Sequence, residues 1–336
     1  MNQLDTPLRA GLSRLRQQAG RSLLELMISI SIGLVVVGAA LAIYSGTTTN
    51  SRVSETEARL NENATITLGL LQQQIRLAGY SAIVGPSTFP AIQRKNLDST
   101  GSAGIRGCTG GMSTTNTTAF NSISCNNGTA SHSISVRYEA DISNTVPVTS
   151  GGSTVASNCV GEGISASTVS SATATAAIAG TMTIPNYALA DNRYYVQTTG
   201  TPSGGPELYC IGAISTNTTT GTVTFGTPQP IMEGVERMEL SFGVAASPTG
   251  TVTAAYMTAE NFDTAFNAET DRWKRVITVR VCLLMRSTAS SDLTTRSAFA
   301  DTSSYSDCNN TQQTSADGSL RRAYTSTILL KNRLQQ

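Results

Sequence analysis

The sequence predicts an α+β fold: a long N-terminal helix whose second half packs on an antiparallel β-sheet head. Three observations carry this expectation. Residues 26–44 form a charge-free run of 19 residues. A stripe of apolar residues at helical spacing follows it and stops at Gly79. Segments of alternating side chains, 273–287 and 320–333, close the chain.

Composition bounds the function. The 336 residues hold 23 Lys+Arg against 22 Asp+Glu, and charged residues make up 13%, about half of the usual ~25%. Ser and Thr together number 87. Such a chain offers a neutral, hydroxyl-rich surface with no net positive field to condense on phosphate, which disfavours direct nucleic-acid binding. The length suits one large domain or two ordinary ones. A single histidine, His132, excludes zinc sites built from several imidazoles. A Ser/His/Asp triad would need it too, yet it stands in SHSISVRY, which alternates as a strand does. A structural role is the better reading. No phosphate-loop, dinucleotide or zinc-protease string occurs. The chain reads as a non-enzyme without cofactor or metal.

The N-terminal element comes first. Residues 1–20 carry Arg9, Arg14 and Arg16 against Asp5. The apolar run behind them makes about 28 Å of helix, a match for a hydrocarbon core of ~30 Å. Its basic flank places residues 1–20 in the cytoplasm and everything beyond Tyr44 outside. Three readings compete. A secretory signal would use the small-x-small string at Ala40-Leu41-Ala42. A plain anchor is the second. The third turns on Glu25, a carboxylate placed where the apolar run begins, because charges in membrane segments are costly and are usually paired or functional.

Further along, Leu60, Ala64, Leu68, Leu71, Ile75 and Ala78 are spaced 4, 4, 3, 4 and 3 residues apart and define one apolar face. Glu55, Glu57, Arg59 and Glu62 supply polar sides, and Gly79 is a C-terminal stop. No proline interrupts 21–79, so one helix is expected there, membrane-embedded over about 24–45.

The head, 80–336, is poor in large apolar residues over 98–131 and 141–179, which read as long surface loops. An inserted, loop-rich lobe at about 100–225 is expected. Cys108, Cys125, Cys159, Cys210, Cys282 and Cys308 show no CxxC spacing. An even number in such a chain points to disulfides in an oxidising compartment. Sequence does not choose among the pairings. Sequential pairing is favoured because each bridge would close a stretch of loop-like composition; buried thiols are the alternative. In the closing segments Ile277, Val279 and Val281 alternate with Thr278, Arg280 and Cys282, while Tyr324, Ser326, Ile328 and Leu330 share a face. Arg275, Arg280, Arg321, Arg322, Lys331 and Arg333 make this part locally basic. The solvent face of a sheet explains that better than an anionic-partner patch.

The string GRSLLELM at 20–27 resembles the class III signal of type IV prepilins. The resemblance implies a leader peptide of residues 1–20, cleavage between Gly20 and Arg21 by a prepilin peptidase, and N-methylation of Arg21. Arg21 departs from the apolar residue usual at that position. Glu25 becomes the fifth mature residue, one helical turn, or about 6 Å, from the new α-amine. In a staggered stack of helices this carboxylate can meet a neighbour's amine and set register. The local alternative, an Arg21–Glu25 pair within one helix, is worth only ~0.2–0.5 kcal/mol. The intersubunit reading is favoured.

The string QIRLAGY at 74–80 is similar to the end of the long helix in PilW-type minor pilins, and 230–240, 273–287 and 320–333 resemble strands of that group. The resemblance implies a pilin-like fold with disulfide-stapled loops. It also implies a minor pilin that enters or primes a type IV pilus, a fibre that serves twitching motility, adhesion and DNA uptake. Implied partners are other major and minor pilins, the prepilin peptidase, an inner-membrane assembly platform and, through the helix, the lipid bilayer. The implied location is the bacterial inner membrane with a periplasmic head before assembly, and the extracellular pilus after it. A type II secretion pseudopilin and a tip adhesin or ligand-binding head are the alternatives.

Overall fold

A computed structural model describes residues 22–84, 92–93, 104–112, 120–126, 128, 131–166, 187–216, 223–269, 272–287, 303–315, 317 and 319–333. The chain divides into two compact units, Met1–Glu55 and Thr56–Gln336. One helix, α1 (Leu23–Leu77), has residues in both.

In the first unit Ser22 caps α1. Its Oγ accepts the Glu25 N–H at 3.2 Å, and its carbonyl accepts those of Glu25 and Leu26 at 3.0 and 3.2 Å. Ser22-x-x-Glu25 has the spacing of a capping box. Hydroxyls along the apolar run turn back onto the helix: Ser29 donates to the Glu25 carbonyl at 2.7 Å, Ser31 to Met27 at 2.8 Å and Thr48 to Tyr44 at 3.0 Å. These groups therefore carry no unmet bond into an apolar surrounding.

In the second unit α1 buries Leu60, Ala64, Thr67, Leu71 and Ile75, and Ala78 just past its end is buried too. Thr67 holds the stripe position that spacing assigned to Leu68, which is only partly buried. Its hydroxyl donates to the Asn63 carbonyl at 2.6 Å, so a polar residue sits in the core with its bond made. The helix stops at Gly79, in the left-handed region at φ 72°. Gly79 N–H donates to the Arg137 carbonyl at 2.9 Å. A Cβ on the facing Gly104 would lie 1.8 Å from Gly79 N, so this approach of two backbones requires glycine.

The strands follow as β1 (Ile83–Val84), β2 (Ile92–Gln93), β3 (Ile105–Cys108), β4 (Ser133–Ala140), β5 (Val148–Ser150), β6 (Ser153–Val155), β7 (Ala188–Gln197), β8 (Glu207–Thr216), β9 (Val223–Phe225), β10 (Gln229–Glu233), β11 (Val235–Ala245) and β12 (Thr253–Met257). After helix α2 (Ala259–Ala265) come β13 (Val276–Arg286), β14 (Ser303–Ser306), β15 (Gln312–Ser315) and β16 (Arg321–Leu329). Two antiparallel sheets dominate. The first has six strands, β10-β8-β7-β4-β3 with β9 beside β8; the second has the order β12-β11-β13-β16. The segment 230–240 crosses from one sheet to the other at Gly234, whose φ of 76° makes the corner. Its N–H donates to Pro206 and its carbonyl accepts from Arg286, at 2.8 and 2.7 Å.

One core joins the sheets and the second part of α1: Ile134, Val136 and Tyr194 meet Met238, Leu240, Phe242, Val279 and Val281, with Leu71 and Ile75 of the helix. The alternation read in the closing segments holds, with Val279, Val281, Ile328 and Leu330 all buried. The opposite face of the first sheet is polar yet buried, with Ser135, Arg137, Glu139, Asp191 and Arg193. There Arg193 Nη2 and Nε donate to Asp191 at 2.9 and 3.1 Å, Ser135 Oγ adds a third bond at 2.8 Å, and the guanidinium lies 4.3 Å from the Phe225 ring centre.

Candidate assembly site

The first unit shows what α1 can do. Its large apolar side chains between Leu23 and Tyr44 are all more than half exposed, from 51% at Ile28 to 79% at Leu23. Burying one such side chain is worth ~1.5–3 kcal/mol, so this helix gains greatly from a bilayer or from neighbouring helices. Among the described residues it is a helix long and apolar enough to cross a membrane. Glu25 lies in its first turn, where the helix dipole favours a carboxylate by ~0.3–1 kcal/mol. Its side chain is exposed and, among the described residues, bonds to no other group. An acceptor-only group at the rim of an apolar surface is suited to receive a cation from outside its own helix. The proposed cleavage point between Gly20 and Arg21 lies outside the described residues. Ser22, which orients this turn, was not singled out from sequence, although the Ser-x-x-Glu spacing carries the signal.

The cysteines pair sequentially: Cys108–Cys125, Cys159–Cys210 and Cys282–Cys308, with none free. The first ties the end of β3 to the segment after the 3-10 turn Phe120–Ser122. The second ties the 156–166 segment to β8, and the third ties the turn between β14 and β15 to β13. No group of three or more His, Cys, Asp or Glu that could hold a metal is present among the described residues.

His132 is a structural residue. It is buried, its Nδ1 accepts the Leu240 N–H at 2.9 Å, and its own N–H donates to the Met238 carbonyl at 2.8 Å. Burial pushes its pKa below the ordinary histidine value, the neutral form being the one that can accept at Nδ1. Ser131 beside it accepts the Met238 N–H at 2.8 Å. Together they fasten the lead-in of β4 to β11.

Of the C-terminal basic residues, Arg275, Arg280 and Arg321 are engaged within the head. Arg275 is held by Glu269, with Nε to Oε2 at 2.7 Å. Arg321 is shared by Glu236 and Asp317, each at 2.6 Å, and its guanidinium holds the Asp317 carboxyl well below the usual range. Arg280 lies over the Tyr256 ring at 4.5 Å. Arg322 and Lys331 are exposed, and the side chain of Arg333 lies outside the described residues.

No curated protein and no solved structure matches the chain. Residues 193–332 match the family model PilW, Type IV Pilus-assembly protein W. The match runs from within β7 through β16 and so covers the whole second sheet. It also takes in 230–240 and 273–287 and nearly all of 320–333. With a membrane-capable helix earlier in the chain, this match supports a PilW-type protein of type IV pilus assembly.

Proposed function

We propose that the chain is a minor pilin, incorporated into a type IV pilus or priming its polymerisation. The observation that carries this reading is the exposed apolar helix with Glu25 in its first turn. Its exposed side chains would insert among the helices of other major and minor pilins as readily as among lipids. Glu25 would take the α-amine of a neighbouring subunit, an exchange of two costly groups for one pair that sets axial register. The prepilin peptidase would cut between Gly20 and Arg21 and methylate Arg21. An inner-membrane assembly platform would lift the subunit from a single-pass state, with residues 80–336 in the periplasm, into the fibre.

Mass spectrometry of the N-terminal peptide from sheared fibres tests this. A chain beginning at N-methylated Arg21 is expected. A chain beginning at Ile43, after Ala42, would mean an exported protein without its helix and would overturn the proposal.

A further inference from the structure

The two main sheets present five terminal strands, and four are short or interrupted, β9 having 3 residues. β10 contains Pro230 and a register shift between Pro230 and Met232. β3 has 4 residues, and β12 has 5 with a register shift opposite it. β16 differs: its 9 residues pair with β13 in unbroken register and contain no proline. Long unblunted edges are templates for another strand, and proteins ordinarily guard against them.

The register says which groups are open. Leu330 N–H donates to the Ile277 carbonyl and Ser287 N–H to the Leu320 carbonyl, both outside the strand ends. Antiparallel alternation then turns the backbone groups of even-numbered β16 residues toward β13. Those of Arg321, Ala323, Thr325, Thr327 and Leu329 point to the free edge, and among the described residues no backbone bond meets them. A cavity of about 420 Å³ lies beside this strand, lined by Arg280, Arg322, Ala323 and Thr325 of the sheet and by Asp307 and Asn310 of the β14–β15 turn. Asp307 spends its oxygens on Asn309 N–H, Thr311 N–H and the Gln313 amide. Arg322 is exposed near the start of the strand, Arg280 is exposed on β13 opposite Thr327, and Lys331 is exposed just past the strand's end.

We propose that the open edge of β16 accepts an extended strand from another chain, one carrying carboxylates at its ends. Strand addition supplies affinity through main-chain bonds, and the flanking cations select the acidic partner. A second copy of β16 is the wrong occupant, because antiparallel pairing would bring the Arg322 end of one strand beside the Lys331 end of the other. The inference goes beyond the minor-pilin reading and needs only the geometry of this sheet.

The test uses the full chain in detergent and two labelled peptides of β16's length. Both alternate Thr and Val; one has Glu at both ends, the other Lys. The Glu-ended peptide should bind, the Lys-ended one about tenfold more weakly. Thr325→Pro should abolish binding, since it removes an outward N–H and leaves every bond to β13 in place. Arg322→Glu, which touches no ladder bond, should reverse the preference and keeps the test valid if the proline variant misfolds. Failure of both peptides to bind, or equal binding to Thr325→Pro, would overturn the proposal. A concentration-dependent dimer lost in Thr325→Pro would also overturn it, in favour of self-pairing. The start of the mature chain is read separately by mass spectrometry, so the two readings fail independently.

Discussion

Replacing Asp191 by Ala should be among the most damaging single changes in the head. The carboxylate and Arg193 are 1% and 0% exposed, and the guanidinium reaches both carboxylate oxygens. With charge centres about 4 Å apart and an effective dielectric of ~20, their attraction is ~4 kcal/mol. Removing one partner leaves the other buried without it, at a typical cost of ~3–5 kcal/mol. The Ser135 hydroxyl would also lose its acceptor. Urea unfolding of the full chain in detergent, followed by the fluorescence of Trp273, measures the change. The companion is Asp191→Leu with Arg193→Met, which removes both charges and keeps the volume. It should stand within ~1–2 kcal/mol of the parent, since a buried pair and an apolar replacement are often close in stability. If Asp191→Ala costs under ~1 kcal/mol, or if the double variant loses the sum of the two single losses, the burial argument is wrong.

Other outcomes follow from single contacts. His132 is held below its ordinary pKa by burial, so the unfolded chain binds the proton more readily. The stability this contributes is fully present above about pH 6.5 and is lost as pH falls toward the folded value. His132→Asn keeps an acceptor for Leu240 N–H, and its urea midpoint should change less between pH 7.5 and pH 5. Converting Cys159 and Cys210 to Ser opens a loop of 51 residues, worth ~4 kcal/mol by chain entropy, whereas the 17-residue loop of Cys108 and Cys125 is worth ~3 kcal/mol. Parallel denaturation of the two double variants should preserve that order. Gly104→Ala places a methyl against the Gly79 backbone and should cost ~1–3 kcal/mol, seen as a lower thermal midpoint.

How much of this was legible depended on whether neighbours in sequence decide the outcome. The helical stripe and the closing alternation are local periodicities, and the burial of Leu60, Leu71, Ile75, Val279 and Ile328 follows them. Periodicity fixes a face only to within a residue, which is why Thr67 rather than Leu68 is buried. Composition says less about the strands. The region read as loop-rich, about 100–225, contains β3, β4, β7 and β8 of the first sheet. Strand β7, with Asp191, Asn192 and Arg193 in succession, gives no apolar alternation because both of its faces are buried, Asp191 and Arg193 pairing with each other and Asn192 finding its partner far away. Asn192 donates to Gln74 of the helix at 2.9 Å, across 118 positions. Such long-range satisfaction leaves no trace in a window of ten residues. Gly234 was hidden likewise, since a left-handed corner between sheets reads as a continuous strand.

The two parts of α1 show why the proposed assembly site sits where it does. From Leu60 onward the buried apolar helix positions belong to the core shared with the sheets, and polar ones are committed too, Gln74 to Tyr138 and Asn192, Asn61 to Tyr324. In that part Ile66 alone of the large apolar side chains is more than half exposed. Between Leu23 and Tyr44 the accounting reverses: both serine hydroxyls are satisfied within the helix while the large apolar side chains stay exposed. A surface of this kind has affinity without direction, because lipid and neighbouring helices serve it alike. Glu25 is the single charged group on it and the first that any sliding would misplace. On the proposed minor-pilin reading, position along a stack of such helices would be set by that carboxylate and the cation it meets, or by the heads. If Glu25→Gln left incorporation into the fibre unchanged while Arg322→Glu reduced it, register would belong to the heads and the carboxylate would be only a cap on its own helix.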